Sequence, residues 1–126
     1  MSKTAITSPG LAPPAGPFSQ AIKVGGFIYF SGQVGQDPTT GRLMLGGLAP
    51  QTERVFQNLL AVLQAADKGF EDVARAGVYL TSMSDFGALN EIYARYFRQP
   101  YPARTTIAVT ARPLGACVEI DLVVKA

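Results

Sequence analysis

The 126-residue sequence contains no histidine and only one cysteine, Cys117. Without histidine, the one side chain that titrates near neutrality unaided is missing. Ser-His-Asp and Cys-His nucleophilic arrangements are thereby excluded, as is RNA cleavage by paired imidazoles. The usual zinc and copper ligand is gone too, so a metal site would have to be built from carboxylates, and none is predicted. A lone cysteine excludes an intramolecular disulfide, in keeping with a reducing compartment. Long apolar runs are also lacking: Phe27 to Phe30 and Leu59 to Leu63 fall far short of the roughly 18 residues that cross a bilayer. The N-terminus carries Lys3 but no apolar stretch of signal-peptide length, so a cytoplasmic protein with no membrane segment is expected. Finally, 11 basic and 9 acidic residues give a net charge of +2 with no basic run. Such a balance offers no stripe to track phosphates and argues against nucleic-acid binding.

What is present reads as one domain spanning residues 1–126. Its hydrophobic fraction of 48% is spread along the chain, enough for a core that buries about two thirds of the unfolded surface. Pro9, Pro13, Pro14 and Pro17 prevent helix or central strand and mark an extended lead-in over about residues 1–17. Gln20 to Val24 and Phe27 to Ser31 form a predicted hairpin around Gly25-Gly26. A surface loop follows over Gly35 to Gly47, with a short strand at Leu43 to Leu45. Val55, Phe56, Leu59, Leu60, Val62 and Leu63 recur at helical spacing and predict a helix over Pro50 to Ala66, terminated by Gly69. Val73 to Leu80 reads as a strand. Phe86 to Phe97 reads as a second helix, capped by Ser84 or Asp85. Arg104 to Ala111 and Ala116 to Val124 read as a closing hairpin around Pro113-Leu114-Gly115. The order strand, helix, strand, helix, strand requires crossover connections, so the expected architecture is α+β, a mixed sheet with two helices on one face.

Alternation in the last strand puts Val118, Ile120, Leu122 and Val124 on one face and Cys117, Glu119, Asp121 and Val123 on the other. If the helices cover the apolar face, the acidic face needs solvent or a second protein surface.

Five segments then occur in order: Gly16-Pro17-Phe18-Ser19-Gln20-Ala21, Phe30-Ser31-Gly32-Gln33, Leu89-Asn90-Glu91-Ile92-Tyr93, Pro102-Ala103-Arg104-Thr105-Thr106 and Val118-Glu119-Ile120-Asp121. Together they resemble the RidA/YjgF family of reactive-intermediate deaminases, also labelled L-PSP endoribonucleases. The resemblance implies a chorismate-mutase-like fold of the bacillary type and a homotrimer with clefts between neighbouring subunits. It also implies hydrolysis of 2-imino and 2-enamino acids, such as 2-aminoacrylate and 2-iminopropanoate, to 2-oxo acids and ammonia, the reaction of a 2-iminobutanoate/2-iminopropanoate deaminase. No cofactor is implied. By the same resemblance Arg104 grips the substrate carboxylate and Glu119 acts on the hydrolytic water, while Phe18, Ser31, Gly32, Asn90 and the backbone at Thr106 line the pocket. Many relatives have tyrosine where Phe18 stands, so a phenolic hydroxyl is lost here.

The chemistry suits these residue types. A guanidinium presents a planar fork that matches a carboxylate through two parallel hydrogen bonds, which an ammonium cannot reproduce. A protonated imine carbon is electrophilic enough for water, so orientation and proton transfer suffice and histidine is dispensable. Taken alone, Arg104 would read as a surface residue, Glu119 as a solvated strand residue no better placed than Asp121, and Asn90 as an exposed helix position. Cys117 reads as a small packed residue with no activating neighbour. Two other classes stand beside the deaminase: a ligand-binding or regulatory protein that uses the same clefts without turnover, and an endoribonuclease.

Overall fold

A computed structural model describes residues 2–126. Six strands and two helices follow one another as β1 (Thr4–Ile6), β2 (Ala21–Val24), β3 (Phe27–Val34), α1 (Leu48–Ala65), β4 (Val73–Leu80), α2 (Phe86–Tyr96), β5 (Ala103–Ala108) and β6 (Val118–Lys125). All six strands join one sheet in the order β1-β2-β3-β6-β4-β5, in which only the β4–β5 pair is parallel. The expected mixed α+β sheet is therefore present. No helix among the described residues is long and apolar enough to cross a membrane.

The local elements follow from side-chain period. In α1 the helical repeat buries Val55, Phe56, Leu59, Val62 and Leu63 completely, and this face packs on β3 and β6. The alternation in β6 is equally clean. Val118, Ile120, Leu122 and Val124 face the helices and are buried, while Glu119, Asp121 and Val123 leave the other face half-buried. Phe56 ties the two helices together: it stacks on Tyr96 of α2 with ring centroids 4.2 Å apart and meets Tyr93 edge-on at 6.0 Å. Such contacts add to the area these rings remove from water.

The β2–β3 hairpin forms around Gly25, whose φ of 60° lies in the left-handed region. Four expectations need correction. The last two strands do not pair with each other. Instead β6 inserts between β3 and β4, and β5 pairs only with β4; an eight-residue strand with one fully apolar face is stabilised most at the sheet centre, with a neighbour on each side. The lead-in begins with a strand of its own, since Thr4–Ile6 pairs with β2. The stretch Leu43 to Leu45 forms no strand, only a single bridge between Gln36 and Leu43. Helix boundaries also shift. Asp67, at φ 59°, rather than Gly69, takes the left-handed turn after α1, a conformation that a short polar side chain tolerates. Neither Ser84 nor Asp85 caps α2 through its side chain; Ser82 Oγ instead accepts the Ser84 N–H in the turn before it.

Candidate functional site

The seven residues singled out from the sequence gather into two groups. The first is built on α2 and the edge strand β5. Arg104 Nη2 donates to Asn90 Oδ1 at 2.7 Å, and its guanidinium lies 4.6 Å from the centre of the Tyr93 ring and 5.5 Å from that of Phe86. Phe86, Asn90 and Tyr93 stand four and three residues apart, so one face of α2 presents all three to the strand. Thr106, two residues beyond Arg104, shares its face of β5. The guanidinium opens into a pocket walled by Tyr93, Ala94, Tyr101 and Pro102. The only ion pair among the described residues joins Arg95 to Glu53, so Arg104 is oriented by an amide and two rings and has no carboxylate partner.

The second group is built on β3 and β6. The register between these strands breaks between Phe30 and Gln33, and the irregularity contains Ser31 and Gly32. Such bulges re-aim side chains and are frequent beside functional sites. Ser31 Oγ donates to the Ser19 carbonyl at 2.6 Å, and Ser31 N–H to the Gln20 carbonyl at 3.0 Å, which fastens the lead-in to the strand. A Cβ at Gly32 would lie 2.0 Å from Glu119 Oε2. Only glycine leaves room for this carboxylate. Phe18, 55% exposed, and Gly32 share a cleft with Pro13, Pro14 and Leu114.

Glu119 is electrostatically unusual. Burial pushes its pKa up, Asp121 on the same face pushes it further, and Arg112 draws it partly back. Tyr79 on β4 donates to Asp121 Oδ2 at 2.9 Å. The Cys117 thiol is pushed up, chiefly by burial, and contacts Gln51 Oε1 at 3.2 Å, so it is not set up as a nucleophile.

Sheet register fixes the relation between the two groups. On β4, Ala76 pairs with both Arg104 and Leu122, while Tyr79 pairs with both Ile107 and Glu119. Paired residues share a face. Ala76 and Leu122 face the helices, so Arg104 does too, and Glu119 leaves the opposite face. A small molecule held by Arg104 is thus separated from Glu119 of the same chain by the sheet.

Phe86, Tyr93, Tyr79 and Arg112 went unnoticed as candidates in the sequence. The i, i+4, i+7 spacing of Phe86, Asn90 and Tyr93 was the available signal for the first two. Tyr79 meets Asp121 across 42 positions of sequence, and Arg112 sits in a turn where an arginine carries no pattern.

The sequence matches the Endoribonuclease L-PSP family over residues 10–126. It is 44% identical over 119 residues to the 2-iminobutanoate/2-iminopropanoate deaminase of Mus musculus, covering 94% of this chain and 88% of that protein. A RutC family protein of Pyrococcus abyssi is 39% identical over 123 residues, 98% of this chain and 97% of that one. Among solved structures, RidA from an Antarctic Psychrobacter superimposes with a TM-score of 0.92 at 40% identity, covering 98% of this chain and 99% of that one. With a family match across nearly the whole sequence and relatives of this likeness on both counts, the chain belongs to the RidA/YjgF family.

Proposed function

We propose that the protein is a hydrolytic deaminase that converts 2-imino and 2-enamino acids to 2-oxo acids and ammonia. The observation that carries this reading is Arg104: a preoriented guanidinium without an acidic partner, at the mouth of a pocket with apolar walls. Such a group is matched by a small ligand bearing a carboxylate. Relatives about 40% identical carry the name 2-iminobutanoate/2-iminopropanoate deaminase, which supplies the substrate class.

In this reaction the enamine first takes a proton on carbon, the nitrogen lone pair moving into the carbon–nitrogen bond, and becomes the protonated imine. Water adds to the imine carbon, forming a carbon–oxygen bond as the carbon–nitrogen π pair moves to nitrogen. The resulting carbinolamine, once protonated on nitrogen, expels ammonia as its hydroxyl proton passes to solvent, and leaves the ketone. Arg104 holds the carboxylate, Asn90 holds Arg104, and Glu119 accepts the proton of the attacking water and returns it to the departing nitrogen. A carboxylate with a raised pKa is the better base for this step. Phe18, Ser31, Gly32 and the Thr106 backbone shape the pocket.

The assembly we propose is a homotrimer of the chorismate-mutase-like type, with each cleft between neighbouring subunits. Two features support it. Arg104 and Glu119 leave opposite faces of the sheet, so a site that uses both needs two copies. The open face also carries Tyr29 and Ile107 at 49% and 44% exposure beside the half-buried Val123, an apolar surface of the kind that marks an interaction site.

The test generates 2-aminoacrylate with a pyridoxal-phosphate enzyme and follows 2-oxo acid and ammonia release with and without the protein. Accelerated release is expected; binding without acceleration would make the protein a ligand-binding member of the family, and RNA degradation in its place would make it a nuclease. Mixing tests the composite site. Chains carrying Arg104→Ala and chains carrying Glu119→Gln, each impaired alone, should recover activity toward about a quarter of wild type when co-assembled in equal amounts, because one random interface in four has both residues intact. No recovery would put both groups on one chain.

A further inference from the structure

Arg112 stands in the turn between β5 and β6 and is only 8% exposed, a setting in which a guanidinium must be paired or hydrogen-bonded. Among the described residues no carboxylate lies within 4.0 Å of it. Instead its Nε donates to the Ala116 carbonyl, and its Nη1 to the Val109 carbonyl at 3.2 Å. One side chain thus bridges the two ends of the turn that delivers β6 into the sheet. The turn needs fastening, because Pro113 has no N–H to give and Leu114, at φ 61°, is held in the left-handed region that disfavours a side chain.

The same guanidinium lines the open-face recess that contains Glu119, Asp121 and Tyr79. The surroundings of Glu119 can be named from every side. Asp121 shares its strand and face, Tyr79 faces it from β4 with its hydroxyl committed to Asp121, and Gly32 backs it from β3 without charge. Cys117, just before β6, turns its thiol to Gln51 of α1 at 3.2 Å, on the helix side. Arg75 on β4 is further along and engaged by Thr105 at 2.7 Å. Among the described residues Arg112 is the only cation lining the recess.

We propose that Arg112 is a positioning residue for the water-activating carboxylate: its fork of backbone hydrogen bonds fixes the turn that presents Glu119, and its charge is the counterion that the Glu119–Asp121 pair otherwise lacks among the described residues. The proposal rests on the reading of Glu119 as the group that activates water. Charge and fork can be separated by substitution. Arg112→Lys keeps the charge but cannot span both carbonyls. Arg112→Gln keeps a hydrogen-bond donor and removes the charge. Arg112→Met keeps the packing of the stem and serves in place of the glutamine variant should that one not fold.

The decisive measurement is a carbon-13 NMR titration of the Glu119 carboxyl in the assembled protein without substrate, alongside the pH profile of imine hydrolysis. Loss of the charge should move the Glu119 midpoint and the acidic limb of kcat/KM upward together. On that limb the glutamine variant should be about three- to tenfold slower than wild type, and at high pH within about twofold. The lysine variant should keep the wild-type midpoint while melting at a lower temperature. A Glu119 midpoint that stays in place without the charge, or that moves as far with lysine as with glutamine, overturns the proposal. If the wild-type protein proves inactive on imines, the functional reading fails, and the NMR titration still decides the role of Arg112.

Discussion

Arg104 and Glu119 stand on strands separated only by β4, yet the surroundings that hold them differ in kind. Arg104 is clamped from one side by α2, through an amide oxygen at 2.7 Å and two aromatic rings, and α2 in turn is locked to α1 by the stack of Phe56 on Tyr96. Glu119 sits on the face without helices, between a bulge at Ser31-Gly32 and a strained turn, and its surroundings act on it through burial first and then through the charges of Asp121 and Arg112. The comparison separates two ways of preparing a group for chemistry. A guanidinium keeps its charge at any working pH, so the fold needs only to aim it. A carboxylate near burial can lose its charge, so the fold must aim it and also set its protonation.

The largest effect is therefore expected where aim and charge vanish together. Truncating one partner of a bidentate charged pair in a partly desolvated cleft loses on the order of 2–5 kcal/mol, less where solvent enters. Arg104→Ala should then lower kcat/KM for imine hydrolysis at least about tenfold and bring it near background, with circular dichroism and assembly unchanged. Arg104→Lys should recover only part, since an ammonium restores charge without the fork. Wild-type efficiency in a correctly folded alanine variant would remove the carboxylate clamp from the mechanism.

On the opposite face the expected losses are smaller and depend on pH. Glu119→Gln keeps volume and removes the base, so turnover should fall while assembly holds. Gly32→Ala should do the same without touching the carboxylate, because the new Cβ would lie 2.0 Å from Oε2 and drive Glu119 aside. In the wild type, activity should fade as pH drops through the pKa of Glu119, which burial and Asp121 hold above the ordinary 4.5. The sign for stability is the reverse. A folded pKa above the unfolded one favours the fold at low pH, and that contribution is lost as pH rises through the folded value. Acid loss of activity with an intact fold is thus expected, and unfolding in step with the activity limb would assign that limb to another group.

How far the sequence could be read depended on whether each feature is local. Helical period in α1 and strict alternation in β6 reflect burial of one face, and both were legible, as were the bounds of β4. The closing hairpin was misread because sequential neighbours usually pair, whereas β6 takes two partners from far upstream. β1 has three residues and no pattern to read. At the site, the family motifs singled out Arg104 and Asn90, and the structure brings them together. The split of the two groups between faces was hidden, because it follows from sheet order. Phe86 and Tyr93 were read only as apolar helix positions, since periodicity reports that a ring is turned inward but not that a cation lies over it.

The smallest expected effect concerns Tyr93. Its ring lies beneath Arg104, while its hydroxyl is buried with no hydrogen-bond partner among the described residues. Burial pushes the phenol's pKa up, and Arg104 is near enough to draw it partly back, but the geometry between them is that of a cation over a ring face. A buried hydroxyl without a partner carries a desolvation penalty of about 1–3 kcal/mol, against which its removal leaves only a small void. Phenylalanine keeps the ring and the attraction for the guanidinium. Tyr93→Phe should therefore leave imine hydrolysis within about twofold of wild type and leave thermal stability unchanged or raised by up to ~1 kcal/mol. Tyr93→Leu, which removes the ring, should loosen Arg104 and raise KM more than it lowers kcat. If the phenylalanine variant instead loses as much activity as the leucine one, the hydroxyl reaches the ligand, and the helix-side group would share the dependence on a titratable partner that otherwise sets Glu119 apart.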